Sequence, residues 1–179
     1  MPKVEIRPAI ASDINILMNI EHGYTSDYVW QMDYKQEDIE INISFREVRL
    51  PRTAHVNYPK NYKDLSDTWT RHDVILVAEI GDDIIGYISL NQNKSLGTTW
   101  VTDLAVRKSH RRQGIGSALV IASQDWAKQN ESRRLILEMQ PKNYPSIQLA
   151  KKLGFELCGY NDHYFTNQDI ALFFSKWLR

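Results

Sequence analysis

The chain has 179 residues, which is enough for one sizeable hydrophobic core and too short to suggest two. Hydrophobic residues make up 42% and charged residues 25%, and 22 Lys and Arg residues balance 22 Asp and Glu residues. This neutral charge argues against non-specific binding to nucleic acid or to an anionic membrane surface, because both require an excess of basic charge. We therefore expect a globular protein that binds neither nucleic acid nor membrane.

A few residue types indicate the cellular compartment of the protein and whether it binds a metal. No apolar run approaches the roughly 18 residues that would span a bilayer, and the N-terminus lacks the organisation of a signal peptide. The single cysteine, Cys158, cannot form an intramolecular disulfide, which fits a reducing compartment. The five histidines are scattered without the spacing of metal ligands. We expect a cytoplasmic protein without a bound metal.

The first half of the chain is predicted to contain a strand, a short helix and a hairpin. Residues 4–7 alternate between apolar and polar types and predict the strand, which the helix follows. Residues 38–50 alternate strictly and predict a half-buried strand, for which residues 28–34 are the expected hairpin partner. Its apolar positions are Ile39, Ile41, Ile43 and Phe45. Pro51 and Pro59 are predicted to break the segment that follows this strand, and residues 65–69 fit one or two helical turns.

The second half of the chain shows a clearer alternation of strands and helices. Residues 74–80 and 84–90 flank a Gly-Asp-Asp turn and predict an antiparallel hairpin. The other predicted elements are a strand at 98–106, a helix at 115–126, a strand at 135–139, a short helix at 145–153, and strands at 155–160 and 170–177. Helices interleaved with a sheet that contains this hairpin predict a mixed α/β or α+β fold and exclude a purely parallel sheet.

The most specific signal in the chain lies in residues 101–119. An apolar strand leads through a basic turn and two glycines spaced G-x-G into an amphipathic helix. Small residues let a phosphate approach the backbone, and the first N–H groups and the dipole of the helix point at it. Basic residues flank the turn at Arg107, Lys108, Arg111 and Arg112. The dinucleotide fingerprint is incomplete because Leu119 replaces its third glycine, and no Walker loop is present.

The string Arg111-x-x-Gly114-x-Gly116 resembles motif A of the GCN5-related N-acetyltransferases, the GNAT superfamily. In that family the pattern Q/R-x-x-G-x-G/A lies between the fourth strand and the following helix. The resemblance implies a GNAT fold, with a central mixed, mostly antiparallel sheet flanked by helices. It also implies that acetyl-CoA is the co-substrate and that its acetyl group passes directly to a primary amine in a ternary complex.

The resemblance extends well beyond motif A. The other similar strings are Glu5-Ile-Arg-Pro-Ala with Asp13, Gly116-Ser-Ala-Leu, Asp125-Trp-Ala-Lys128, Leu137-Glu138, Asn143, Leu153-Gly154-Phe155 and the Phe-Phe-rich last strand. The late strings are particularly similar to streptothricin acetyltransferases. Residues 1–21 and 74–179 carry the resemblance, which implies a single GNAT domain over 1–179 with a divergent acceptor-side segment at 22–73.

The resemblance assigns the coenzyme to two elements. The strand before the glycine turn is expected to bond the pantetheine arm through its backbone, and the turn is expected to hold the pyrophosphate, with its arginines adding charge-assisted contacts. The implied cofactor-binding residues are Leu104, Ala105, Val106, Arg111, Arg112, Gln113, Gly114, Ile115, Gly116, Ser117 and, from the second motif, Asn143.

Amine acetylation needs a base for the amine and a proton donor for the departing thiolate. The family's usual acid is a tyrosine four residues before the Gly-Phe pair, but Ala150 holds that position here. Tyr164 matches a tyrosine of the streptothricin group and is the expected acid. Tyr160 and Tyr144 are the alternatives.

Two carboxylates are candidates for the base. Glu138 and Asp103 lie on the two strands that are expected to flank the acetyl group. A carboxylate there takes the amine proton or binds the acceptor as an ammonium ion. The alternative interpretation of Glu138 is a surface carboxylate that pairs with Arg133 or Arg134.

The acceptor side is predicted from composition alone. Aromatic rings and carboxylates suit a cationic amine, and the candidate substrate-binding residues are Asp27, Tyr28, Trp30 and Asp33. Ordinary packing of an aromatic hairpin explains the same residues. We expect a small cationic metabolite or antibiotic of the streptothricin kind as the acceptor of a monomer or homodimer. The alternatives are a peptide or protein N-terminus or lysine, and a non-catalytic acetyl-CoA-binding module.

Overall fold

The computed structural model describes residues 3–179 as nine strands and four α-helices. The strands are β1 (Glu5–Pro8), β2 (Tyr24–Gln36), β3 (Ile41–Val56), β4 (Val74–Ile80), β5 (Asp83–Asn93), β6 (Thr98–Val106), β7 (Arg134–Met139), β8 (Glu156–Asn161) and β9 (Ala171–Trp177). The helices are α1 (Ile14–Leu17), α2 (Leu65–Thr68), α3 (Ile115–Gln129) and α4 (Tyr144–Lys152). None of these helices is both long and apolar enough to cross a membrane.

Seven strands form the central sheet in the order β1-β4-β5-β6-β7-β9-β8, and β2 and β3 form a separate hairpin. All neighbouring strands of the sheet are antiparallel except β6 and β7, which are parallel. The pairing of β6 with β7 ends at Val101 opposite Leu137, although β6 continues to Val106 and β7 to Met139. The predicted mixed, mostly antiparallel sheet is confirmed, and it contains a gap between two central strands.

Helix α3 covers one part of the sheet with the apolar face that its sequence predicts. Ile115 and Leu119 are buried in the main core, and Ala122 and Trp126 are partly buried against it. These positions share one face because they are spaced at three and four residues. A smaller core forms where α1 and α2 meet the sheet. The main core contains residues of both β6 and β7, and the smaller core contains Ala105 of β6, so close packing holds the strands on either side of the gap in fixed positions.

The outer half of the β2–β3 hairpin differs from the prediction of a half-buried strand. Ile39 is fully exposed, Ile41 is 57% exposed and Ile43 is 40% exposed, whereas Phe45 packs against the main core. Alternation indicates that the two faces of a strand differ, but it does not supply a layer to cover the apolar face. The expected burial is therefore wrong for the three isoleucines, because the hairpin extends past the body of the protein.

Strand β3 continues past its predicted end at residue 50, so Pro51 does not break the chain there. The strand continues to Val56, but the pairing with β2 shifts between Ser26 and Tyr28. Residues 50–53 fall in that irregular stretch, where the register omits them. A proline is tolerated there because a bulge does not require its missing N–H.

His22 is a polar residue in the interior, with 6% of its surface exposed. Its Nδ1 lies 2.7 Å from the Ile20 carbonyl, so it carries the proton and donates, and its Nε2 accepts from the Tyr87 hydroxyl at 2.6 Å. The Tyr62 ring stacks on the imidazole with centroids 3.9 Å apart. Burial is the main cause that lowers the pKa of His22 to about 4. The imidazole is therefore neutral in the folded protein at neutral pH.

We predict that this histidine makes folding stability depend on pH. An unfolded histidine titrates near 6.5, so the unfolded chain binds more protons as the pH falls from that value towards the folded pKa of about 4. The free energy of unfolding then loses roughly 2–3 kcal/mol between neutral pH and about pH 4.5 from this group alone. His22→Gln, which cannot titrate, is expected to lack that part of the pH dependence in urea titrations. The exposed His55 supplies the control, and an unaltered slope in His22→Gln would contradict the assignment.

Candidate active site

The gap between β6 and β7 begins at a β-bulge in β6. Asp103 and Val101 pair with neighbouring residues of β5, so Thr102 is an extra residue without a partner there. The Thr102 carbonyl instead accepts a hydrogen bond of 2.6 Å from the ammonium group of Lys60. The bulge therefore bends β6 away from the ladder at the level where it separates from β7.

Beyond the bulge, β6 offers one backbone edge to the gap. Leu104, Ala105 and Val106 pair with β5, while their side towards β7 has no strand partner. Backbone N–H and C=O groups that are not used by a ladder must bond elsewhere, and an extended ligand can take them. The Val106 carbonyl already accepts a hydrogen bond from Arg111. The three residues predicted to hold the coenzyme arm therefore lie on an edge that suits this role through their other backbone groups.

The glycine turn opens α3 with backbone donors. Gly114 has a φ of +89°, and a methyl group built on it would meet no heavy atom within 4 Å. The hydrogen bond from the Ala118 N–H to the Gly114 carbonyl measures 3.0 Å. Helix geometry leaves the N–H groups of Ile115, Gly116 and Ser117 without intrahelical acceptors. Together with the helix dipole, these groups fit a phosphate-bearing ligand.

The arginines of the turn have different roles. The guanidinium group of Arg111 donates to three backbone carbonyls and so ties the turn to the rest of the protein. Its acceptors are Val106 and Gly23, each at 2.8 Å, and Glu21. Arg112 and Gln113 are exposed. The Arg112 side chain is therefore the better placed of the two arginines for the predicted contact with phosphate, while Arg111 fixes the loop.

Asn143 caps α4, as its sequence position suggests. Its Oδ1 accepts a hydrogen bond of 3.2 Å from the Ser146 N–H, and Pro145 stands in the first turn. The helix ends before Gly154, which has a φ of +78°. Capping sets the direction in which α4 leaves β7, so the second motif has a structural role besides the predicted contact with the coenzyme.

Glu138 lies on β7 at the gap, and only 5% of its side chain is exposed. Its Oε2 accepts a hydrogen bond of 2.8 Å from the Tyr164 hydroxyl, and its Oε1 lies 2.8 Å from the Lys60 ammonium. The structure thus brings together two of the three predicted catalytic residues. The alternative interpretation of Glu138, as a surface carboxylate paired with Arg133 or Arg134, is wrong.

Tyr164 is the tyrosine that meets the buried carboxylate. Burial is the main cause that raises its pKa to about 12, and the hydrogen bond to Glu138 adds to the shift. The phenol therefore keeps its proton at neutral pH, which is the state that a proton donor requires.

The two tyrosines predicted as alternative acids have other contacts and do not bond to Glu138. Tyr160 packs edge-on against Phe45 with ring centroids 5.5 Å apart, and Tyr144 donates a hydrogen bond of 3.2 Å to Glu47. Ala150, at the family's usual tyrosine position, is fully buried inside α4. Among these positions, only Tyr164 contacts a candidate base.

Asp103, the third predicted catalytic residue, is held by a tyrosine that the sequence analysis did not single out. The Tyr58 hydroxyl donates a hydrogen bond to Asp103 Oδ1. Burial, then Asp103 and to a smaller extent Glu138, raise the pKa of Tyr58 well above its usual value. The Tyr58 phenol therefore keeps its proton and donates a hydrogen bond to the carboxylate on the β6 side of the gap. Within residues 3–179, no group of three or more His, Cys, Asp and Glu side chains is arranged to hold a metal ion.

The functional residues that sequence reasoning missed lie in residues 57–62, which we call the strap. Tyr58, Lys60 and Tyr62 contact Asp103, Glu138 and His22 respectively. The strap therefore crosses the sheet over the gap. The sequence does contain a signal for the strap. Its three side chains with polar ends stand at every second position, and in an extended segment such positions point to the same side.

The four predicted acceptor residues of the hairpin are engaged in contacts of their own. They are Asp27, Tyr28, Trp30 and Asp33. Their partners are Thr53 for Asp27 at 2.5 Å, Tyr144 for Tyr28 with rings 4.7 Å apart, Phe174 for Trp30 with rings 5.6 Å apart, and Arg46 for Asp33 at 3.3 Å. Within residues 3–179, none of these side-chain contacts involves Glu138 or Asp103. The structure therefore does not bring them to the carboxylates, and packing explains Trp30 in particular.

Comparison with known proteins agrees with this geometry. The profile of the "Acetyltransferase (GNAT) family" matches residues 42–155. An N-alpha-acetyltransferase of Sulfurisphaera tokodaii is 30% identical over 145 residues, which are 75% of this chain and 84% of that protein. Streptothricin acetyltransferase A of Bacillus subtilis is 25% identical over 134 residues, which are 73% of this chain and 77% of that protein.

Solved structures share the fold over nearly the whole chain. A crystal structure of nourseothricin acetyltransferase superposes with a TM-score of 0.85 at 21% identity and covers 98% of this chain and 99% of that one. A Bacillus anthracis protein solved in complex with acetyl coenzyme A gives a TM-score of 0.75 at 19% identity, with the same coverage. With the profile match and the relative at 30% identity, these findings establish that the chain belongs to the GNAT family of acetyl-CoA-dependent N-acetyltransferases.

Proposed function

We propose that this enzyme acetylates a primary amine of a small cationic molecule of the streptothricin kind, by direct transfer in a ternary complex. The observation that carries the proposal is the buried Glu138 carboxylate at the gap, which already holds an ammonium group, that of Lys60. Asp103 supplies a second carboxylate on β6, the other strand of the gap, where it accepts a hydrogen bond from Tyr58. Two carboxylates at one site favour a cationic acceptor through charge. Streptothricin acetyltransferases of Bacillus subtilis and Streptomyces lavendulae are among the relatives, which supports this acceptor class.

The coenzyme fits the unpaired edge of β6 and the opening turn of α3. Residues 104–106 would bond its arm, residues 111–117 would hold its pyrophosphate, and Asn143 would approach it from α4. When bound, acetyl-CoA supplies the acetyl group as a thioester. The carbonyl carbon of a thioester is open to direct attack by an amine, so the chain needs no nucleophile of its own.

The protonation states of the side chains at the gap suggest their catalytic roles. Glu138 is the base that takes a proton from the acceptor ammonium, because its carboxylate is buried and in contact with an ammonium group. Tyr164 is the acid, since its phenol is protonated at neutral pH and 2.8 Å from Glu138. Asp103 binds the cationic acceptor and orients the Tyr58 hydroxyl. Residues 22–73, as part of one GNAT domain, supply the acceptor side through the strap.

A second acceptor class has specific support. The relative at 30% identity is an N-alpha-acetyltransferase, which indicates a protein or peptide N-terminus. An N-terminal amine is also a primary ammonium group at neutral pH, so the same carboxylates suit it. The two acceptor classes differ in the part of the molecule that surrounds the amine. A panel of substrates from both classes therefore distinguishes them by their rates of acetylation.

We predict that release of free CoA is fastest with streptothricin in a panel that also contains a polyamine, an aminoglycoside and peptides with free N-termini. Glu138→Gln is expected to lower the rate by about two orders of magnitude, the lower end of what a positioned base contributes. The exposed Glu131→Gln serves as the matched control. Turnover on peptides alone would favour the second class, and binding of acetyl-CoA without turnover on any amine would contradict catalysis.

We predict that Tyr164→Phe lowers kcat by roughly ten- to a hundredfold, because it removes the proton donor. The affinity for acetyl-CoA, measured by calorimetry, is expected to stay within about twofold, since the phenol contacts Glu138 and not the glycine turn. Tyr160→Phe removes a hydroxyl that does not contact Glu138 and should keep the wild-type rate. An unchanged kcat in Tyr164→Phe would remove this residue from the mechanism.

We predict that Gly114→Val weakens acetyl-CoA binding by at least about a hundredfold. A β-branched residue strains the left-handed conformation at φ +89°, and its side chain fills the side from which a phosphate approaches the backbone. Gly81→Val is the matched control, because Gly81 also has a positive φ, of +60°, with no heavy atom within 4 Å of an added methyl. Gly81 lies in the β4–β5 turn. Equal affinities of the two variants would contradict the assignment of the turn.

A further inference from the structure

Lys60 places a primary amine at the entrance of the β6–β7 gap. Its Nζ lies 2.6 Å from the Thr102 carbonyl on β6 and 2.8 Å from Glu138 Oε1 on β7. Thr102 is the bulge residue at which the paired part of the two strands ends. The Lys60 side chain is 32% exposed, whereas that of Glu138 is 5% exposed. The chain therefore holds one of its own lysines against the group proposed as its catalytic base.

The strap fixes the lysine at this position from both sides. On one side, the Tyr58 hydroxyl donates to Asp103, and the Pro59 carbonyl lies 3.4 Å from the Thr166 hydroxyl. On the other side, the Tyr62 ring stacks on the buried His22. Because the backbone of the strap is anchored, the lysine loses less conformational entropy on reaching a reactive position than it would on a free loop.

We propose that Lys60 is a site of self-acetylation. The inference rests on the proposed function, because it uses the same base and the same coenzyme. The Lys60 ammonium gives one proton to Glu138, and its nitrogen then attacks the acetyl carbon of acetyl-CoA. The N–C bond forms as the C–S bond breaks. The second proton of the nitrogen passes to the departing sulfur, so the products are an Nζ-acetyl amide and CoA.

Self-acetylation and acceptor binding compete for the same carboxylate. A cationic acceptor must displace the Lys60 ammonium from Glu138 before it reaches the base, so it protects Lys60 from modification. Once acetylated, Lys60 is neutral and no longer forms an ion pair with Glu138. Acetylated Lys60 therefore accumulates when acetyl-CoA is present and the acceptor is absent.

The test is incubation of the purified full chain with isotopically labelled acetyl-CoA and no acceptor, followed by peptide mass mapping. We expect Lys60 to gain the label at least tenfold faster than Lys63, an exposed lysine three residues away that reports spontaneous acetylation. The rate is expected to be independent of protein concentration, because the lysine and the base belong to one chain. Glu138→Gln should slow labelling of Lys60 at least tenfold, and Lys63→Arg should not change it.

A second readout does not depend on turnover. Bromoacetyl-CoA carries an alkylating carbon in the acetyl group, and an adjacent amine forms a C–N bond to it as bromide leaves. The amine also loses a proton, so we expect a Lys60 adduct whose added mass is that of acetyl-CoA less two hydrogen atoms, and none at Lys63. Equal labelling of the two lysines in both experiments would overturn the inference.

The outcomes separate this inference from the proposed function. Turnover on streptothricin with no label on Lys60 overturns self-acetylation and leaves the enzymatic assignment intact. Label on Lys60 without turnover on any amine of the panel supports self-acetylation and overturns the proposed acceptor class. Failure of acetyl-CoA to bind in calorimetry overturns both.

Discussion

The separation of β6 from β7 is the constraint on which the rest of the site depends. Two parallel strands pair as far as Val101 and Leu137 and then part, which leaves backbone groups of β6 without ladder partners in the middle of a sheet. Such groups must find other partners. The arrangement is stable because the cores on either side hold both strands, and because a bulge at Thr102 starts the separation. Coenzyme binding, the acid–base pair and the lysine of the strap all use this gap.

The charges at the gap are balanced within the protein. A carboxylate as buried as that of Glu138 is costly unless it is paired and hydrogen-bonded. Lys60 provides the opposite charge and Tyr164 the hydrogen bond. The same contacts keep the carboxylate next to an amine and the phenol protonated, so the groups that stabilise the site are also those that amine acetylation requires. An acceptor ammonium can replace Lys60 without leaving the charge of Glu138 unpaired.

The sequence predicted the elements that local patterns determine. The hairpin of β4 and β5, the glycine turn, the apolar face of α3 and the Asn143 cap all follow from spacings within a few residues, and the structure contains them. The strap was not predicted because Lys60 meets β6 at a separation of 42 residues, and no periodicity encodes where an irregular segment lies over a sheet. Ile39 shows the opposite error: the alternating pattern predicts a buried side chain, but no layer of the protein covers that face of the hairpin.

The central claim is that the unpaired edge of β6 and the first turn of α3 form one binding surface for acetyl-CoA. Hydrogen exchange of the backbone amides with and without the coenzyme tests it directly, because exchange reports each segment separately. The account predicts that acetyl-CoA slows exchange in peptides covering residues 104–106 and 113–117 and leaves the hairpin tip at residues 36–41 unchanged. Unaltered exchange in both peptides at saturating acetyl-CoA would contradict it.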